Sequence, residues 1–166
     1  MAITTTTKRG LLGGLAFGAV VAAGAALTLH SGPAQAAGKP TVVTLTQVGC
    51  QFVESENNVD HNFKTTKKAD CEAINAKSGK ERLAKAKVIK LKAGDYVFRV
   101  TNKNVPYELG FWIRGQGLSR VTLPSTSGGG LVKGKTQDYK ISLKPGKYYY
   151  SCPLNTTPDY TLVVEG

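Results

Sequence analysis

The chain has 166 residues, with 22 Lys and Arg against 11 Asp and Glu and a formal net charge of +11. Its length suits one domain of ordinary size after a leader has been removed. Such a basic protein favours acidic partners or anionic surfaces. We expect no nucleic-acid partner, because the sequence contains no recognisable base-stacking module.

Residues 1–36 have the three parts of a secretory signal peptide. Lys8 and Arg9 precede an apolar run at 11–29, and Ala-Gln-Ala at the end of the segment is a small-residue cleavage site. An uncleaved membrane anchor is the alternative, since the run is just long enough to span a bilayer. Its many Gly and Ala residues and the cleavage site favour removal. We therefore predict a periplasmic or secreted protein consisting of one domain, 37–166, with at most peripheral membrane contact.

The three cysteines are odd in number, and an exported protein can keep disulfides. Cys50 and Cys71 lie in the first half of the chain, whereas Cys152 lies alone near the C-terminus. The simplest pairing is Cys50–Cys71 with Cys152 free. Pairings that use Cys152 stay open, because spacing alone does not decide between them.

The mature chain begins with a strand predicted at 41–48, where apolar and polar residues alternate. Residues 50–53 are expected to continue this strand past Gly49, because a glycine within a strand often marks a bulge or bend. An insertion follows at 54–86. It begins as a polar loop and then forms a short helix at 70–79, which starts at a plausible N-cap and ends at a glycine. A further turn at 80–85 stays open.

Ten basic residues and three acidic ones lie between positions 64 and 92. A solvated face is one interpretation of this Lys-rich stretch. The other is a surface that attracts an acidic partner protein or an anionic surface.

Short strands at regular spacing follow the insertion, as is typical of a β-sandwich. Residues 88–91 and 96–101 are expected to form a hairpin-like pair, and the Ser- and Gly-rich residues 125–130 a flexible loop. The other strands are predicted at 107–113, 136–143, 148–151 and 161–164, with a short irregular stretch at 118–123.

From residue 88 to the C-terminus the chain resembles a cupredoxin, with loop lengths similar to those of the short-loop, amicyanin-like members. The resemblance is carried by the run at 92–102, by Val-Pro-Tyr-Glu-Leu-Gly-Phe at 105–111, and by a Pro-Gly turn ahead of the loop that contains Cys152. It implies an all-β fold, a cupredoxin-like Greek-key β-sandwich, here with a short inserted helix.

The resemblance also implies where the copper ligands of the family would lie. Tyr107 and Asn155 occupy the two histidine positions, Cys152 the cysteine position and Pro158 the axial methionine position. A blue-copper site requires two imidazoles, a thiolate and a weak axial ligand. The predicted mature chain contains one histidine, His61, and no methionine, so no alignment can supply that set. We expect a degenerate copper site and no cofactor.

Three interpretations of Cys152 remain. It can be a small apolar filler of the core, because free cysteine is among the most buried residue types. It can be the centre of an atypical metal site with Glu108, Asn155 or His61 as further ligands. It can also be a redox-active or partner-linking thiol, which depends on its exposure and on nearby charge.

The sequence contains no nucleophile–base pair and no paired carboxylates, so we predict no catalytic residues and no enzyme. The prediction is an exported binding protein that has lost the type 1 copper site and acts through a protein partner or an anionic surface, by way of residues 64–92. The alternative is a copper-binding electron carrier or copper chaperone with an atypical site centred on Cys152.

Overall fold

The computed structural model describes residues 38–166, and the predicted signal peptide lies outside them. The described residues form nine strands, one α-helix and two 3₁₀ turns, at Glu54–Glu56 and Gly117–Val121. The elements in chain order are β1 (Thr41–Val48), β2 (Gln51–Phe52), α1 (Lys68–Lys85), β3 (Ile89–Lys92), β4 (Gly94–Asn102), β5 (Leu109–Gly115), β6 (Thr126–Leu131), β7 (Thr136–Leu143), β8 (Gly146–Ser151) and β9 (Tyr160–Glu165).

The strands build two sheets. The four-stranded sheet has the order β2-β1-β4-β7 and the five-stranded sheet the order β3-β9-β8-β5-β6. Two pairings, β1 with β4 and β3 with β9, are parallel, and the others are antiparallel. The predicted all-β fold with one inserted helix is confirmed.

The core between the sheets is rich in aromatic rings, which supply large apolar areas and prefer tilted or edge-on contacts. Phe52 lies at its centre, with ring centroids 5.7 Å from Tyr150 and 5.8 Å from Phe111 and Tyr160. All four rings are buried. The alternation of buried and exposed residues along β7 and β9 is the pattern expected of half-buried strands.

The expected continuation of β1 through residues 50–53 is wrong. The chain reverses at Gly49 and Cys50, and β2 pairs antiparallel with β1. Cys50 has a φ of 63°, and a Cβ added at Gly49 would meet the Phe63 carbonyl oxygen at 2.6 Å. Gly49 is therefore needed for the close approach of the Phe63 backbone rather than for a bulge.

The expected hairpin of residues 88–91 with 96–101 is also wrong. β3 pairs with β9 in one sheet, whereas β4 lies between β1 and β7 in the other. The chain crosses between the sheets at Ala93 and Gly94, whose φ is 152°. A local turn signal does not determine whether the next strand stays in the same sheet.

Residues 125–130 were expected to be a flexible loop, and this is wrong because β6 occupies Thr126–Leu131 at the edge of the five-stranded sheet. Glycine is depleted in strands, so the composition of residues 125–130 gave no strand signal. The glycines permit a close approach: a Cβ at Gly110 would lie 2.6 Å from the Gly128 carbonyl oxygen. This contact coincides with an irregularity in the β5–β6 register between Leu109 and Phe111.

The inserted helix has 18 residues, so it is longer than the predicted 70–79 and includes the turn at 80–85 that the sequence left open. Its start is stabilised by Asp70, whose Oδ2 accepts the backbone N–H groups of Thr66 at 2.7 Å and Lys67 at 3.1 Å. Gly79 does not end the helix but lies buried within it. No helix among residues 38–166 is both long and apolar enough to cross a membrane.

Candidate functional site

The loop between β8 and β9 begins with Cys152, which is fully buried and outside the disulfide. Its sulfur accepts backbone N–H groups from Gly110 at 3.3 Å and Asn155 at 3.2 Å. Burial raises the pKa of the Cys152 thiol, although these N–H groups act in the opposite direction. The group is therefore a protonated thiol at neutral pH, with the low reactivity that this implies.

Asn155 is fully buried and uses both ends of its amide. Its Nδ2 donates to the Val48 carbonyl at 2.8 Å. Its Oδ1 accepts the Cys50 backbone N–H at 3.1 Å and the Tyr107 hydroxyl at 3.1 Å. Asn155 therefore joins the β8–β9 loop to the reversal between β1 and β2.

Tyr107 precedes β5 and is partly buried. Burial raises the pKa of its phenol, so it is neutral and acts as a hydrogen-bond donor to Asn155. The two residues that the sequence resemblance matches to imidazole ligands are thus hydrogen-bonded to each other. Pro158, which the resemblance matches to the axial ligand, accepts the Tyr160 N–H through its carbonyl at 3.1 Å, and its ring contains no donor atom.

The predicted disulfide is confirmed: Cys50 and Cys71 are bonded, with their Cα atoms 5.0 Å apart, and both are buried. The Cys71 sulfur lies 3.2 Å from the Asn155 Oδ1 and 3.7 Å from the Tyr107 hydroxyl oxygen. The disulfide therefore fixes the first turn of α1 against the Tyr107–Asn155 pair. We call Tyr107, Asn155, Cys152 and this disulfide the Asn155 cluster.

The donor set of the Asn155 cluster does not fit a type 1 copper ion. Such an ion prefers two imidazoles beside the thiolate, together with a weak thioether. Here a phenol and an amide take the imidazole positions and are already engaged with each other. The sulfur of Cys152 is engaged by two backbone N–H groups.

The other proposed metal ligands have different neighbours. The Glu108 Oε1 accepts the Gly130 N–H at 2.7 Å. His61 binds the Glu56 Oε2 through its Nε2 at 2.8 Å and stacks on Phe63. Within residues 38–166, no three His, Cys, Asp or Glu side chains are grouped closely enough to hold a metal ion.

A second buried cluster was missed by the sequence analysis. Arg82 is buried in α1 and binds Glu56 through two N–H groups, Nε at 2.9 Å and Nη2 at 2.7 Å. Its Nη2 also donates to the Cys50 carbonyl at 2.9 Å, and its Nη1 donates to the Asn75 Oδ1 at 2.7 Å. The guanidinium group lies over the Phe63 ring, 4.9 Å from its centroid.

Glu56 accepts from Tyr160 and His61 as well as from Arg82. Burial by itself would raise the pKa of this carboxyl, but the hydrogen bonds from Arg82 and Tyr160 and the positive charge of Arg82 bring it below its usual 4.5. Glu56 is therefore ionised at neutral pH. We call Glu56, Arg82, His61 and Tyr160 the Glu56 cluster.

A signal for Arg82 was present in the sequence. Counting from Cys71 along a helix, residues 75, 79 and 82 fall on the same face as the cysteine. Since Cys71 must face Cys50, this spacing turns Arg82 inward as well. The remaining nine basic residues of the stretch 64–92 are lysines, and all of them are exposed.

Comparisons with solved structures find proteins of similar fold. The chain matches auracyanin B, a cupredoxin, at 13% sequence identity and a TM-score of 0.47, over 77% of this chain and 91% of that one. It also matches a multi-copper oxidase from Pediococcus acidilactici at 8% identity and a TM-score of 0.36, over 76% of this chain and 26% of that one. No family model and no curated protein matches the sequence.

Proposed function

We propose that this protein is an exported, non-enzymatic binding protein with a cupredoxin-like fold that has lost the type 1 copper site. The observation that carries the proposal is the hydrogen bond between the Tyr107 hydroxyl and the Asn155 Oδ1, at 3.1 Å. This hydrogen bond links the two side chains that would both have to reach the copper ion of a type 1 site. The cluster is thereby suited to holding α1 on the sandwich.

The surface most suited to binding is the outer side of the Lys-rich stretch 64–92, six of whose nine lysines lie in the inserted segment. Cys71 and Arg82 are buried against the sandwich, whereas the nine lysines of 64–92 are exposed to solvent. Two of these lysines form ion pairs along the helix, Lys68 with Glu72 and Lys85 with Glu81. Exposed pairs of this kind contribute little, so the face retains a positive potential that favours an acidic protein or an anionic surface.

A copper titration tests the lost site. Copper(II) added to the processed protein should bind weakly and give no intense thiolate-to-copper absorption. The variant Tyr107→His with Asn155→His should bind copper more tightly, because it restores both imidazoles beside Cys152. Adding Cys152→Ser to that variant is the control and should abolish any such band. One tightly held copper with a strong visible band in the unmodified protein would overturn the proposal.

A charge-reversal pair tests the binding surface. Lys77→Glu with Lys80→Glu changes two exposed lysines of α1, and Lys133→Glu with Lys135→Glu makes the same change in net charge before β7. Retention on a carboxylated polymer should fall further for the first pair, because the potential is concentrated on the inserted segment. Equal loss of retention in both would mean that only the net charge matters.

The second candidate is a copper carrier centred on Cys152. It is favoured by the two N–H groups that point at the sulfur, since they would also stabilise a thiolate. The same titration separates the two candidates, because this one requires Cys152→Ser to remove copper binding from the otherwise unmodified protein.

A further inference from the structure

The 3₁₀ turn at Gly117–Val121 carries the two most exposed large apolar side chains among residues 38–166. Leu118 is 94% exposed and Val121 is 88% exposed. A 3₁₀ helix has three residues per turn, so positions three apart lie on the same side. The two side chains therefore form one small apolar projection.

The surrounding structure fixes this projection in place. A Cβ at Gly115 would lie 2.3 Å from the Ser119 carbonyl oxygen, so the end of β5 packs directly on the turn. The Ser119 carbonyl accepts the Leu123 N–H at 2.9 Å. The Gln116 backbone N–H donates to the Lys147 carbonyl at 2.9 Å and so connects the turn to β8. The turn is thus bonded at both ends, with its apolar side chains directed into water.

Aromatic and basic side chains surround the projection. The Trp112 ring lies 4.1 Å from the guanidinium carbon of Arg114 and 4.7 Å from that of Arg120. Lys147 is exposed beside the turn. The nearby carboxylate of Asp159 is paired with Arg114 at 2.7 Å, so the local potential is positive.

We propose that this turn inserts into the interface of an anionic lipid bilayer. Leu118 and Val121 would enter the boundary between headgroups and acyl chains, with Trp112 at headgroup level and Arg120 and Lys147 near the lipid phosphates. Exposed aliphatic residues next to Trp and basic residues are the pattern of interfacial attachment. Anionic lipids attract each nearby basic residue.

Size and charge favour a bilayer over a protein as the occupant. A stable protein interface buries about 1,200 Å² or more in total, which two side chains on a convex turn cannot supply. A second copy of the processed chain, without Lys8 and Arg9, would bring two basic surfaces together at a net charge of +9 each. The proposal uses residues outside the stretch 64–92, so it does not rest on the proposed function.

The single tryptophan of the chain is a built-in reporter of the turn. The processed protein is mixed with phosphatidylglycerol–phosphatidylcholine vesicles and, separately, with pure phosphatidylcholine vesicles. With the anionic vesicles, the Trp112 emission should shift to the blue and be quenched by lipids brominated on the acyl chain. The neutral vesicles should give a much weaker response.

The decisive variant is Leu118→Ser with Val121→Ser. It should lower the affinity for anionic vesicles by roughly tenfold or more, because it removes most of the apolar area that enters the lipid. Val132→Ser is the matched control, since Val132 is 52% exposed on another loop, and it should bind like the unmodified protein. All these sites are exposed, so the variants are expected to unfold at the same urea concentration.

Two results would overturn the proposal. One is equal binding of anionic vesicles by the turn variant and the Val132 control, which would mean that charge alone drives attachment. The other is concentration-dependent self-association in sedimentation that the turn variant removes, which would make the turn a contact between copies. The variant with Lys77→Glu and Lys80→Glu should retain the acyl-chain quenching, so failure here is distinguishable from failure of the lysine surface.

Discussion

Two clusters fasten α1 to the sandwich, and they do so by different chemistry. The Asn155 cluster holds the N-terminal turn through a disulfide and neutral hydrogen bonds. The Glu56 cluster holds the C-terminal half through a buried ion pair. Cys50 connects the two: its sulfur is bonded to Cys71, its N–H donates to Asn155 and its carbonyl accepts from Arg82.

The two clusters differ in the kind of constraint that they apply. At the Asn155 cluster, Tyr107 and Asn155 satisfy each other by a hydrogen bond, and the disulfide supplies the constraint. At the Glu56 cluster, both partners are charged, so loss of either one leaves the other buried and unpaired. A reductant should therefore weaken the Asn155 cluster, which contains the disulfide, and acid should weaken the Glu56 cluster, which contains the ion pair.

The largest effect is expected from Arg82→Met. It leaves the Glu56 carboxylate buried without its main partner, which costs about 3–5 kcal/mol of unfolding free energy. Urea denaturation at pH 7 measures the loss. Lys85→Met is the control, since Lys85 forms an exposed pair with Glu81, and it should cost about 1 kcal/mol or less. Equal losses would show that the Arg82 pair is no more important than a surface pair.

The disulfide should have the next largest effect. Cys50→Ser with Cys71→Ser removes a crosslink between residues 21 positions apart, which corresponds to about 3 kcal/mol in the chain-entropy account. Urea midpoints of the two proteins give the difference. A dithiol reductant should destabilise the unmodified protein by a similar amount and leave the double variant unchanged. A protein whose midpoint ignores the reductant would contradict this prediction.

Acid should lower the unfolding free energy through the Glu56 cluster, by less than Arg82→Met does. Because the pKa of Glu56 is lower in the folded protein than its usual 4.5, its contribution to stability is complete above pH 4.5. The contribution is lost as the pH falls through the folded pKa, since the unfolded chain takes up the proton first. Unfolding free energies measured between pH 7 and pH 2 should show this decline.

The comparison protein for the acid experiment is Glu56→Gln with Arg82→Met, which removes the buried ion pair. Below pH 4.5 the unfolding free energy of the unmodified protein should fall more steeply than that of the variant. A difference that stays constant over that range would mean that Glu56 does not titrate in response to folding.

The sequence predicted those parts of the molecule that local patterns determine. Alternation gave β1 and β7 with their observed bounds, and cysteine counting gave the disulfide. The sequence did not predict that β3 and β4 belong to different sheets, because a turn signal carries no information on which sheet the next strand joins. The glycine-rich β6 was missed because its stability depends on the close approach of β5, which composition does not reveal.

The candidate site divides in the same way. The family resemblance pointed to Tyr107, Cys152 and Asn155, and the structure brings these three together around the hydrogen bonds of Asn155. The pair of Arg82 and Glu56 was missed because the two residues are 26 positions apart and each has other charged residues near it in the sequence. The helical spacing from Cys71 turns Arg82 inward, but no local pattern shows which carboxylate lies opposite it.

The smallest effect is expected from Tyr107→Phe. It removes one hydrogen bond to Asn155, while the Asn155 Oδ1 keeps the Cys50 N–H at 3.1 Å. Because that acceptor stays satisfied, the loss should be about 1 kcal/mol, the usual net value of a single hydrogen bond. Tyr96→Phe is the matched control, since its hydroxyl also donates one partly buried bond, to the Lys92 carbonyl at 2.9 Å. Equal urea midpoints for the two variants would support a purely structural role for Tyr107. A loss of more than about 3 kcal/mol for Tyr107→Phe alone, well beyond one hydrogen bond, would instead mean that the phenol holds the whole Asn155 cluster together.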